Sequence, residues 1–150
     1  MSQLSTAKRC AEKMWAGDSA SKALGMEIEI REAGAATARM RVREDMVNGF
    51  DICHGGMLFA LADTAFAFAC NAYDRVTFAA SASIEFVRPA MLGDTLCATA
   101  TEEYRGSRSA YYVVNVENDI GELVALFRGR SVSRDQPVLS DKNDTYSIEE

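Results

Sequence analysis

Between Asp51 and Asp74 a run of apolar and small side chains is interrupted by one charged residue, Asp63. A carboxylate in such surroundings is costly unless it is hydrogen-bonded, paired or turned toward a polar cleft, and there it can serve as nucleophile or general base. Eight positions earlier the sequence reads His54-Gly55-Gly56. Two glycines at the start of a predicted helix present backbone N–H groups that no side chain shields. The first amides of a helix lack intrahelical partners and carry its positive dipole end, so they suit an oxygen that gains negative charge during reaction. No Ser or Thr opens this helix, and Asn48 or Asp51 is expected to fold back and cap it. Thr64 and the helix-end amides of a neighbouring subunit are expected to meet the hydrogen-bonding need of Asp63.

Other chemistries find less support. His54 is the sole histidine, so the usual His/Cys metal spacings are absent and no metal is expected. A Ser-His-acid triad would have to use His54, and no GxSxG elbow occurs. Cys53 and His54 are adjacent, and adjacent side chains diverge, which makes a poor dyad. His54 therefore reads as a loop-shaping residue or a proton carrier. Neither a phosphate-cradling GxxxxGK[ST] nor a strand followed by GxGxxG is present. The formal net charge of −6 argues against nucleic acid or an anionic membrane as partner. A polyanionic small molecule remains acceptable, since backbone amides and a few arginines suffice to hold it. The N-terminal residues lack the apolar run of a signal peptide, and the longest charge-free apolar stretch, Ile52–Ala62, is too short to span a bilayer. Four cysteines without a CxxC pair read as reduced thiols, which makes the cytoplasm the expected compartment.

The elements that must position these residues follow from periodicity. Ala7, Cys10, Ala11, Met14 and Trp15 fall at helical spacing and predict a helix over about residues 6–16. Residues 26–31 and 36–43 alternate around Ala33-Gly34 and predict an antiparallel hairpin. A loop over 45–54 leads into the most apolar segment, a helix of about Gly55–Ala72. Four strands are predicted over 77–88, 95–104, 109–118 and 123–132, punctuated by Pro89, Gly93-Asp94, Arg105-Gly106 and Ile120-Gly121. Strands joined by short turns favour an antiparallel sheet, and a helix apolar nearly all round must be enclosed. The expected fold is α+β, a curved antiparallel sheet wrapped around a central helix, with the small residues Ala79–Ser83 letting the helix come close. Residues 1–135 form one expected domain, and the polar, acidic residues 136–150 an expected disordered tail.

The stretch Asn48-Gly49, Cys53-His54-Gly55-Gly56, Leu61-Ala62-Asp63-Thr64-Ala65-Phe66-Ala67 and Ala69-Cys70-Asn71 resembles the PaaI group of hot-dog thioesterases, associated with phenylacetate degradation. Phe86-Val87-Arg88-Pro89, Gly93-Asp94-Thr95-Leu96 and Ala125-Leu126-Phe127-Arg128-Gly129 extend the likeness, which spans about Trp15 to Ser133. The resemblance implies hydrolysis of acyl-CoA thioesters, (hydroxy)phenylacetyl-CoA foremost, with no cofactor beyond the coenzyme A of the substrate. Asp63 would be nucleophile or general base, the Gly55 amide would polarise the thioester carbonyl, and Asn48, His54 and Thr64 would assist. Gly56, Ser81, Arg88, Arg108 and Arg128 are candidates for binding the substrate, with Arg130 a further candidate for its phosphates. Some relatives carry Asn where this chain has Gly17, which bears on any substrate contact from the N-terminal segment. The alternatives are a medium-chain acyl-CoA thioesterase, a non-catalytic acyl-binding protein of this fold, or a dehydratase, which usually pairs a histidine with an acid.

One subunit is not enough for this chemistry. Eight residues along a helix separate Gly55 from Asp63 by roughly 12 Å, whereas an attacking group must come within about 3–3.5 Å of a carbonyl carbon. Two helices paired about a two-fold axis can set Gly55 of one chain opposite Asp63 of the other. A homodimer is therefore the expected minimal unit, and family members commonly pair dimers into tetramers.

Overall fold

The structure, a computed structural model, describes residues 2–140. Helix α1 runs from Gln3 to Gly17, earlier than its apolar spacing alone predicts, because Ser2 caps it by accepting from the Ser5 N–H at 3.1 Å. Asp18 closes α1 and caps the short α2 (Ser19–Ala23), its carboxylate accepting from the Ser21 amide at 3.0 Å and the Ser21 hydroxyl at 2.7 Å. Strands β1 (Glu27–Glu32) and β2 (Ala35–Arg41) form the expected hairpin. Gly34 makes its turn at φ +83°, a conformation that suits glycine. A 3-10 turn over Glu44–Met46 and an irregular loop lead to α3 (Gly55–Cys70), followed by β3 (Thr77–Phe86), β4 (Thr95–Arg105), β5 (Ser109–Glu117) and β6 (Leu123–Ser133).

All pairings are antiparallel, in the order β1-β2-β4-β5-β6-β3. The sheet curves over α3, which is the expected hot-dog arrangement. Leu58, Leu61, Ala62, Ala65, Phe66, Phe68, Ala69 and Cys70 of the helix are buried. What lets the helix approach differs from expectation. Residues 79–83 lie exposed on the edge strand β3, whereas Ala36, Ala38, Ala98 and Ala100 are fully buried under α3 on the central β2 and β4. On β6 the absence of a side chain at Gly129 makes room for Phe66, because a Cβ there would lie 2.9 Å from its ring. Phe66 also packs edge-on to Tyr112, ring centroids 5.3 Å apart. The enclosure of α3 is one-sided within the chain. Gly56, Phe59, Ala60, Asp63, Thr64 and Ala67, spaced three and four apart, form a stripe that the sheet leaves uncovered or half-covered.

Residues 136–140, expected to belong to a disordered tail, are instead docked on the fold. The Val76 N–H donates to the Gln136 carbonyl at 2.8 Å and the Leu139 N–H to the Asp74 carboxylate at 2.8 Å, while Val138 is buried against Cys10 and Val76. Two apolar residues within an otherwise polar stretch suffice to dock it on α1. Residues 141–150 lie outside the described residues. Among the described residues no helix is long and apolar enough to cross a membrane.

Candidate active site

The loop before α3 is built by Asn48. Its side-chain oxygen accepts from the amides of Phe50 at 2.9 Å and Ile52 at 3.3 Å, its own N–H donates to the Ile52 carbonyl at 2.8 Å, and Asp51 turns at φ +59°. Those bonds commit the Asn48 oxygen to the loop, so neither Asn48 nor Asp51 caps the helix as expected. His54 occupies the cap position with no side-chain cap bond, its N–H donating to the Met46 carbonyl at 2.8 Å and its imidazole in an exposed residue. The amides of Gly55 and Gly56 consequently donate to nothing among the described residues, whereas those of Met57 and Leu58 reach the His54 carbonyl at 2.9 and 3.4 Å. Two oriented donors at the positive end of a 16-residue helix are thus left for a ligand oxygen.

Asp63 sits two turns along, on the uncovered stripe. No hydrogen bond or ion pair among the described residues reaches its carboxylate, and burial pushes its pKa up from the ordinary aspartate value. Thr64 does not supply the missing bond from its own proton, since its hydroxyl donates to the Ala60 carbonyl at 2.7 Å. Cys53 is buried and its thiol pushed up to about 11, chiefly by burial, so it is a poor nucleophile at neutral pH.

Gly55 and Asn48 share a cleft of about 390 Å³ with Ile52, Leu58, Phe86 and Arg88. Arg88 is paired there with Glu122. The remaining sequence candidates fall elsewhere. Ser81 pairs with Arg130 across β3 and β6, and both point away from α3, because their neighbours Ala82 and Gly129 face it. Ser81, Arg128 and Arg130 line a separate cleft of about 510 Å³ on the outer face of the sheet, with Arg128 held by Glu103 at 3.1 Å. Arg108 pairs with Asp135 at 2.9 Å near the other end of α3. The structure therefore gathers Gly55, Gly56, Asn48, His54 and Arg88 around one helix end and sets Ser81, Arg108 and Arg128 apart. Asp63 is carried by the same helix but about 12 Å along it.

Phe86 is not among the residues expected at the site, yet its ring lies against the Gly55 backbone. A Cβ at residue 55 would meet the ring at 3.0 Å. Alternation along β3, with Ala82, Ile84 and Phe86 on the helix-facing side, was the available signal for it.

Comparison with known proteins places this geometry in company. The signature of the thioesterase superfamily matches residues 50–125. The acyl-coenzyme A thioesterase PaaI of Escherichia coli strain K12 is 44% identical over 121 residues, covering 81% of this chain and 86% of that protein. The solved structure of the E. coli PaaI protein from the phenylacetic acid degradation operon superposes with a TM-score of 0.89 at 40% identity, over 91% of this chain and 99% of that one. A hypothetical thioesterase protein of Streptococcus pneumoniae TIGR4, solved with coenzyme A, shares the fold at 20% identity, with a TM-score of 0.75 over 85% of this chain and 98% of that one.

Proposed function

The chain belongs to the thioesterase superfamily and is an acyl-CoA thioesterase, and we propose that its substrates carry a ring-bearing acyl group of the (hydroxy)phenylacetyl type, cleaved with Asp63 as the acting carboxylate. One observation carries the assignment of residues. Among the described residues the first two amides of α3 have no partner, and the same helix bears a half-buried carboxylate, likewise without one, on the stripe they leave open. The thioester carbonyl oxygen accepts from the Gly55 N–H, with Gly56 beside it, and these donors stabilise the negative charge that develops on that oxygen. Asp63 then either attacks the carbonyl carbon, expelling the CoA thiolate and leaving an anhydride that water opens, or takes a proton from the water that attacks. Both routes consume one water and yield the free acid and the CoA thiol. Label that enters the Asp63 carboxylate during a single turnover in isotopically labelled water marks the anhydride route, with water opening it at the Asp63 carbonyl.

The site is shared between two copies. Edge strand β3 supports this reading as well as helix spacing does. It has ten residues, one of them charged, and among the described residues no strand lies beside its outer backbone groups. Such an edge is a template for pairing with another chain. Pairing β3 with β3 about a two-fold axis brings the open stripes of two α3 helices together and covers Asp63, with a dimer of dimers as the larger assembly. Arg88, in the Gly55 cleft, is the favoured partner for the CoA phosphates, since an exposed ion pair such as its bond to Glu122 is readily exchanged. Four free thiols and a CoA substrate suit a reducing compartment, which favours the cytoplasm.

The test uses two inactive variants. Asp63→Asn lacks the carboxylate and Gly55→Pro the donor. Co-expressed, they form mixed dimers in which one of two sites draws both groups from unaltered residues, so activity returns towards about half per mixed dimer. Folded, demonstrably mixed dimers that stay at background would refute the shared site.

A further inference from the structure

We infer that Phe86 is a specificity-determining residue, its ring forming the wall of the acyl site beside the Gly55 amide. The core of its own chain does not account for its position. Phe86 is 57% exposed, so the core does not require it, yet it ends β3 on the helix-facing side, opposite the buried Ala125. Its ring atoms Cζ and Cε1 lie 3.0 and 3.2 Å from where a Cβ on Gly55 would stand. The ring therefore covers the backbone of the very residue whose N–H is unpartnered, and it does so inside the cleft that also holds Asn48 and Leu58. A planar acyl group entering toward that N–H meets an aromatic face, with which it packs better than a flexible alkyl chain does. The ring also keeps water from one side of the amide, which strengthens the hydrogen bond made there. This inference rests on the thioesterase reading above.

Phe86→Leu keeps an apolar side chain and removes the ring. The ratio of kcat/KM for phenylacetyl-CoA to that for octanoyl-CoA should fall about threefold to tenfold relative to the parent. Gly55→Ala keeps the N–H and puts a methyl where the ring lies; the exposed ring can swing away, so the fold survives and the ratio should fall by a similar factor. The double variant should be no worse than either single one, because both displace the same ring. An unchanged ratio in Phe86→Leu, or losses that multiply in the double variant, would overturn the assignment. Failure of the thioesterase reading looks different, since the parent itself would then hydrolyse neither ester.

Discussion

The two ends of α3 are finished in opposite ways. At its C-terminal end side chains tie the helix to the sheet. Asn71 donates to the carbonyls of Ala67 at 2.9 Å and Thr77 at 3.0 Å and accepts from the Thr77 N–H at 2.9 Å, locking the helix end to the start of β3. Just beyond, Tyr73 and Tyr112 both donate to Glu102 at 3.0 Å, and the Arg105 guanidinium lies 3.9 Å from the centre of the Tyr73 ring. At the N-terminal end the amides of Gly55 and Gly56 have no partner among the described residues. One end of the helix holds the fold and the other is left open, and unsatisfied donors that would count as a defect in the first are, on the proposed function, the working part of the second.

Substitutions should separate the two ends. The largest effect is expected from Asp63→Asn, which should lower kcat about 10²–10⁴-fold in steady-state assays of CoA release while the protein stays folded. Its stability moves the other way. Burial raises the Asp63 pKa, so the folded chain holds that proton to higher pH than the unfolded chain. The stabilisation this confers is present at acid pH and is lost as pH rises through the folded value. Asp63→Asn should therefore melt above the parent at neutral pH, and the difference should vanish toward the ordinary aspartate value. At the opposite end Asn71→Ala should cost about 2–3 kcal/mol by leaving buried backbone groups of Thr77 unpaired. Denaturant unfolding measures this, and kcat/KM of the folded fraction should stay within about twofold of the parent. Gly129→Ala should be milder, about 1–3 kcal/mol by the same measurement, because the Phe66 ring must shift to admit a methyl. A large loss of turnover in Asn71→Ala, or a large loss of stability in Asp63→Asn, would erase the contrast.

Much of this was legible before any coordinates. Each strand lies within about two residues of its alternating stretch, and the isolated Asp63 beside paired glycines pointed to the helix that bears the proposed site. What escaped was set by pairing across long separations. Alternation says that residues 77–86 form a strand but not that it crosses to the far edge beside β6, and that placement turns Ala79–Ser83 out of the core and aims Ser81 and Arg128 away from the helix. The missing cap was misjudged for a local reason. Asn48 has one side-chain oxygen, and two loop amides claimed it first. Val138 docks through a contact with Cys10 that no periodicity in a polar segment announces.

Strand order also governs when the molecule can be finished during synthesis. β3 leaves the ribosome well before β6, the neighbour that gives it a ladder, and the β1–β2 hairpin likewise waits for β4. Chains elongate at about 5–20 residues per second, so on the order of several seconds pass between the appearance of Phe86 and that of Ser133. Throughout that interval the apolar α3 has only part of its cover, and β3 lacks the ladder that β6 gives it. Nascent chains on one messenger carry the same bare strand at the same moment, which makes the translating polysome a place where mispairing between copies is hard to avoid.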